Sequence, residues 1–259
     1  YGGSSKGKLD LYYNKKDTKN LKPIVIFVHG GGWISGDKYN FISIGTFLQQ
    51  QGYVAALPNH VLFPEGKIDD MVNDIYQSVQ WVYKNAYKYG GDNKKITFVG
   101  YSAGAHIMAL TAIKASLKMT VNKKVLQPLP RAEKMVLFNS PYDFDDYDSI
   151  SQFENGIIKR IVSFLVNSQD VGPTDVLKRL SDNSVTDFGF TKCNIFYAEK
   201  DNMIPVTTAP NLIKQLHRVS PNTIINEIYQ PGFDHSTLLI GARDKNEEMQ
   251  QMFLDIVEM

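Results

Sequence analysis

Short apolar runs alternate with stretches of helical periodicity along most of this chain. Ile24–Val28 (IVIFV) is a continuous apolar run of β-branched and aromatic residues, the pattern of a strand covered on both faces. Phe41–Gln51 reads as a helix and Tyr53–Leu57 as the next strand. Ile68, Met71, Val72, Ile75, Val79 and Val82 recur at three- and four-residue steps, which predicts an amphipathic helix over Lys67–Lys88 ending at Gly90-Gly91. Ile96–Val99 is a strand and Ala103–Met119 a helix. Further strands are expected at Met135–Phe138, Asn194–Ala198 and Thr223–Tyr229, with closing helices at Thr208–Val219 and Lys245–Val257. This alternation predicts an α/β fold, a mostly parallel sheet flanked by helices.

The chain is read as a single domain over residues 1–259, without repeats or linkers. Between the strands ending near Asn139 and starting near Asn194 lies a stretch the sheet does not require. This insertion, about residues 140–193, carries an unusually apolar helical segment at Gly156–Val166 and is expected to be lid-like. Ile157, Ile161, Phe164 and Leu165 are candidates to line an apolar substrate pocket; the plainer alternative is that they are packing.

Composition narrows the partners. Apolar residues make up 43% and charged residues 21%, as in an ordinary globular domain. With 28 basic against 27 acidic side chains the net charge is +1, which argues against nucleic acid as a partner. Cys193 is the single cysteine, so no internal disulfide can form, and no Asn-x-Ser/Thr sequon is present. Both features suit an intracellular protein. No apolar run approaches the roughly 18 residues needed to span a bilayer. The chain opens at Tyr1 and closes in a helical pattern, so it is expected to be a piece of a longer polypeptide that could carry a membrane-associated segment upstream.

The chemistry is concentrated in two motifs. Gly100-Tyr101-Ser102-Ala103-Gly104 is a G-x-S-x-G placed directly between a strand and a helix. Glycines at its ends allow the sharp turn that lifts a serine hydroxyl clear of the sheet, with a helix N-terminus aimed at it. His29-Gly30-Gly31-Gly32-Trp33 follows the first apolar strand. Its glycines free the backbone to present N–H groups, so Gly31, Gly32 and Ala103 are the candidate oxyanion donors. The rival reading, a phosphate loop, lacks the Gly-Lys-Ser/Thr it needs. Trp33 and Tyr101, within the two motifs, are expected to border the substrate. No cofactor and no metal is called for.

A serine hydroxyl needs a base to attack a carbonyl near neutral pH. Of five histidines, His29 belongs to the glycine loop and is expected to brace it. His106 sits behind Ser102 on the helix, His217 lies on a late helix, and His60 is unplaced. His235, in the turn-rich Pro231–Ser236 after the last strand, satisfies the order nucleophile, acid, base. For the acid, Asp201 after the penultimate strand is favoured over Asp143 after the preceding one. Asp234 adjoins His235 in sequence and is badly directed for that role.

Together these residues resemble the hormone-sensitive-lipase-like esterase branch of the α/β hydrolases. The resemblance is closest to the isoprenylcysteine methylesterase family, carried by Leu9–Tyr12, Phe63–Asp74, Tyr89–Asp92 and Gly100–Ile107. It implies an α/β-hydrolase fold and hydrolysis of a small, lipophilic carboxylic ester through an acyl-enzyme, with a prenylcysteine methyl ester as one substrate. Kynurenine formamidases share the pattern, so an aryl formamide is the alternative, and a non-catalytic scaffold on the same fold is a third. One departure stands out. Where that family has Asp-Tyr-Arg, with the arginine a structural brace, this chain has Asn59-His60-Val61.

Overall fold

The structure is a computed structural model that describes residues 6–144 and 170–259. The apolar segment at 156–166, with Ile157, Ile161, Phe164 and Leu165, lies outside the described residues. The sheet strands are β1 (Leu9–Tyr12), β2 (Lys22–Val28), β3 (Val54–Pro58), β4 (Gly91–Tyr101), β7 (Ala132–Phe138), β8 (Phe190–Ala198) and β9 (Ile224–Gln230). They are ordered β1-β3-β2-β4-β7-β8-β9. All neighbours run parallel except β1, which pairs antiparallel with β3. A small hairpin, β5 (Thr120–Val121) and β6 (Lys124–Val125), lies apart from this sheet.

The helices are α1 (Ile42–Gln50), α2 (Ile68–Asn85), α3 (Ala103–Ser116), α4 (Pro173–Lys178), α5 (Thr208–Val219), α6 (Thr237–Arg243) and α7 (Glu247–Glu258). The two-residue period of a strand sorts the IVIFV run between two cores. Ile24, Ile26 and Val28 join the layer beneath α2, α3 and α5, while Val25 and Phe27 join the layer under α1, α6 and α7. The periodic face of α2 (Ile68, Met71, Val72, Ile75, Val79, Val82) is buried on the first layer. Each such side chain is worth about 1.5–3 kcal/mol when withdrawn from water. α3 is buried nearly all round, as a helix between sheet and neighbouring helices must be.

Three expectations are corrected. β4 is longer than Ile96–Val99, because its polar start Gly91–Lys95 joins the strand, with Gly91 beside Lys22. The predicted closing helix Lys245–Val257 begins instead at Glu247, with Asn246 accepting the Met249 N–H at 3.0 Å as its cap, and a separate helix, α6, precedes it. The helix over Lys67–Lys88 leaves α-geometry after Asn85, continues as a 3-10 turn, and stops at Gly90 with φ +82°. The described end of the insertion packs as ordinary core: Val171, Val176, Leu177, Val185 and Phe188 are buried. No helix among the described residues is long and apolar enough to cross a membrane.

Candidate active site

Ser102 sits between β4 and α3 with φ +53° and ψ −127°, a conformation costly for a residue with a side chain. The turn is held from three directions. Ser102 N–H donates to Phe138 O at 2.9 Å, Ser140 Oγ donates to Ser102 O at 2.8 Å, and Ala105 and His106 N–H close the first turn of α3 on that same oxygen. Gly104 explains the terminal glycine of the motif. A Cβ there would stand 2.3 Å from the carbonyl oxygens of Val28 and His29, so only glycine lets α3 approach β2 this closely.

His235 lies in the loop joining β9 to α6. Its Nε2 is 3.0 Å from Ser102 Oγ, and its Nδ1 is 2.7 Å from Asp201 Oδ2. The His235 and Asp201 side chains are 6% and 4% exposed. Asp201 Oδ1 accepts the N–H groups of Met203 and Ile204, both at 2.9 Å, so the carboxylate is fixed by its own turn. The two loops are tied by Lys200 N–H donating to Phe233 O at 2.8 Å. Asp143, the other carboxylate considered, is fully buried and accepts from Asn211 Nδ2 at 3.0 Å. Asp234 points away, its Oδ1 accepting from the Ser236 and Thr237 N–H groups at the start of α6.

The glycine loop after β2 folds as a tight turn. Gly31 has φ +135°, and a Cβ on it would overlap Ser35 O at 2.0 Å. Its carbonyl accepts from Ser35 N and Ser35 Oγ at 3.0 and 2.8 Å. Gly32, at φ +58°, faces open space where a side chain would stand. Ala103 opens α3 directly after Ser102. Trp33 and Tyr101 are both nearly buried. Trp33 is turned inward and donates its indole N–H to His106 Nδ1 at 3.1 Å. Tyr101 packs at 5.4 Å on the His235 ring and donates its hydroxyl to His235 O at 3.2 Å. Burial pushes the Tyr101 pKa up to about 12, so that hydroxyl stays a donor.

Three further histidines, His29, His60 and His106, are buried. His29 and His60 stack at 4.8 Å, and each donates Nδ1–H to a main-chain carbonyl, Gly30 O at 2.8 Å and Val61 O at 2.9 Å. Burial lowers both pKa values, that of His60 to about 3, so the stack is a pair of neutral rings. The Asn59-His60-Val61 departure is therefore accommodated in a specific way. Asn59 accepts the Lys38 N–H and donates to Asp37, His60 supports His29, and Val61 packs against Gly66 while its N–H donates to Asp74 at 2.9 Å. Asn139 and Ser140 belong to the cluster too, although spacing did not single them out. Their signal was a polar pair closing an apolar strand, at the carboxyl end where α/β sheets place their sites.

The fold and this cluster define an α/β hydrolase. The chain belongs to the BD-FAE family, whose profile matches residues 9–216. It is 42% identical over 118 residues, 46% of its length, to a probable isoprenylcysteine alpha-carbonyl methylesterase of Oryza sativa subsp. japonica. It is 24% identical over 257 residues, 94% of its length, to Esterase LipC of Mycobacterium tuberculosis. The chain spans 28% of the rice protein and 60% of LipC. Among solved structures, an inhibited esterase B from Lactobacillus rhamnosis superposes with a TM-score of 0.75 at 18% identity, covering 99% of this chain and 82% of that one; the likeness is one of fold.

Proposed function

We propose that this chain is a serine carboxylesterase with Ser102 as nucleophile, His235 as general base and Asp201 as the orienting acid. The observation that carries the reading is the hydrogen-bonded series from Ser102 Oγ through His235 to Asp201, with steps of 3.0 and 2.7 Å. Asp201 on Nδ1 fixes the tautomer that leaves Nε2 free to take a proton. Ser102 Oγ attacks the ester carbonyl carbon as its proton passes to His235 Nε2. Charge on the carbonyl oxygen is met by N–H groups of Gly31, Gly32 and Ala103. His235 then protonates the departing alcohol, and water repeats the sequence on the acyl-Ser102 intermediate.

The substrate is a small lipophilic ester, and a prenylcysteine methyl ester is the leading candidate. The identity to the rice methylesterase supports this narrower reading, as does the apolar run containing Ile157, Ile161 and Leu165. A panel of a prenylcysteine methyl ester, N-formylkynurenine and p-nitrophenyl acetate tests both levels. Hydrolysis of the esters, fastest on the prenylated one, is expected. Turnover of N-formylkynurenine alone overturns the esterase reading, and equal rates on the two esters overturn the lipophilic one.

A further inference from the structure

The imidazole of His235 is oriented through Nδ1, but the position of the ring also depends on where its main chain is anchored. His235 O accepts two side-chain hydrogen bonds, from Asn139 Nδ2 at 2.9 Å and from Tyr101 OH at 3.2 Å. A carbonyl oxygen only accepts, so the Asn139 atom facing it is the amide nitrogen. The donors come from the ends of two neighbouring strands: Tyr101 ends β4, which leads into the nucleophile turn, and Asn139 follows β7. Asn139 is 1% exposed and holds φ +43°, in the left-handed region. Its Oδ1 is buried without a hydrogen-bond partner. Glycine and asparagine both tolerate this φ, but glycine would serve the turn without burying an unmatched acceptor. What asparagine adds is the donor to His235 O. Its N–H also donates to Phe196 O at 3.0 Å, so the side chain projects from a backbone pinned to β8.

We propose that Asn139 is a positioning residue. With Tyr101 it anchors the main chain of His235, so that one imidazole spans the Ser102–Asp201 gap. The proposal rests on the serine-esterase reading and adds a member that touches neither substrate nor reacting atoms. Misplacing a catalytic group by an ångström lowers the chemical step steeply while leaving substrate binding almost alone.

Two variants separate the amide from the backbone. Asn139→Gly keeps the left-handed φ and removes the donor; Asn139→Asp keeps the shape and replaces the donor with an acceptor. Kinetics on p-nitrophenyl acetate, labelling rates with a fluorophosphonate, and melting temperatures are measured on the 259-residue chain. In both variants kcat is expected to fall at least tenfold with KM within twofold, and labelling to slow in parallel. Asn139→Gly should melt within a few degrees of the parent. An unchanged kcat in Asn139→Gly, a rise in KM with kcat preserved, or failure of that variant to fold would each overturn the proposal. If the parent neither hydrolyses the ester nor reacts with the fluorophosphonate, the esterase reading itself fails. Activity in the parent that Ser102→Ala abolishes, beside a normal Asn139→Gly, means that this proposal alone fails.

Discussion

Asp201 Oδ2 meets His235 Nδ1 at 2.7 Å in a site where both side chains are almost fully withdrawn from solvent. Asp143, the competing carboxylate, is instead engaged by Asn211. Asp201→Asn should therefore lower kcat by roughly 10⁴, the scale seen when an orienting carboxylate is made neutral. Asp143→Asn should cost less than tenfold in kcat, with any further effect appearing in melting temperature. Steady-state kinetics on both variants decides the matter, and a reversed order would move the acid to Asp143.

Acid should weaken the fold through its buried histidines. His106 Nδ1 accepts from Trp33 and its Nε2–H donates to Val171 O at 2.7 Å, so the ring is held neutral with both nitrogens used. Burial lowers its pKa to about 4. Above pH 6.5 the folded and unfolded chains both carry it neutral, and it makes no difference to stability there. As pH falls from 6.5 towards 4, the unfolded state takes up the proton first, and stability is lost by about 3 kcal/mol from this group alone. His60 acts in the same direction. Melting temperature should fall steeply over this range. His106→Gln, whose amide can accept from Trp33 and donate to Val171, should flatten that fall. An equal pH dependence in parent and variant would contradict the assignment.

Gly104 tests how tightly the elbow is built. Gly104→Ala drives a methyl group into two main-chain carbonyls. Overpacking of this kind costs about 1–3 kcal/mol, which for a domain of this size lowers the melting temperature by roughly 2–12 °C. Differential scanning calorimetry should show that loss, with esterase activity falling as well because α3 carries the Ala103 N–H. An unchanged melting temperature would mean that α3 and β2 are less closely packed than described.

The sequence was most legible where periodicity and burial coincide. The IVIFV run and the stepped apolar face of α2 show their strand and helix directly. The glycine motifs mark their loops because a Cβ at Gly30, Gly31, Gly100 or Gly104 would collide with its neighbours. What stayed hidden was set by backbone pairing or by distant partners. Gly91–Lys95 is polar and reads as a turn, yet it extends β4 alongside β2. The separate helix α6 has no start signal in the sequence pattern, and the closing helix starts two residues later than expected, at the Asn246 cap. The indole N–H of Trp33 turns to His106, a partner no local pattern reveals. The same holds for Asn139, because the carbonyl it serves belongs to His235 in the loop after β9.

The role of Ser102 as nucleophile is tested by kcat for p-nitrophenyl acetate in Ser102→Ala beside the parent chain. Loss on the order of 10⁶ in kcat is expected, the scale found when a serine of this kind is removed. The fold should be unaffected by circular dichroism, because truncating the side chain leaves the Ser102 N–H bond to Phe138 in place. Retention of more than a few per cent of the parent's kcat by a correctly folded Ser102→Ala would rule Ser102 out as the nucleophile.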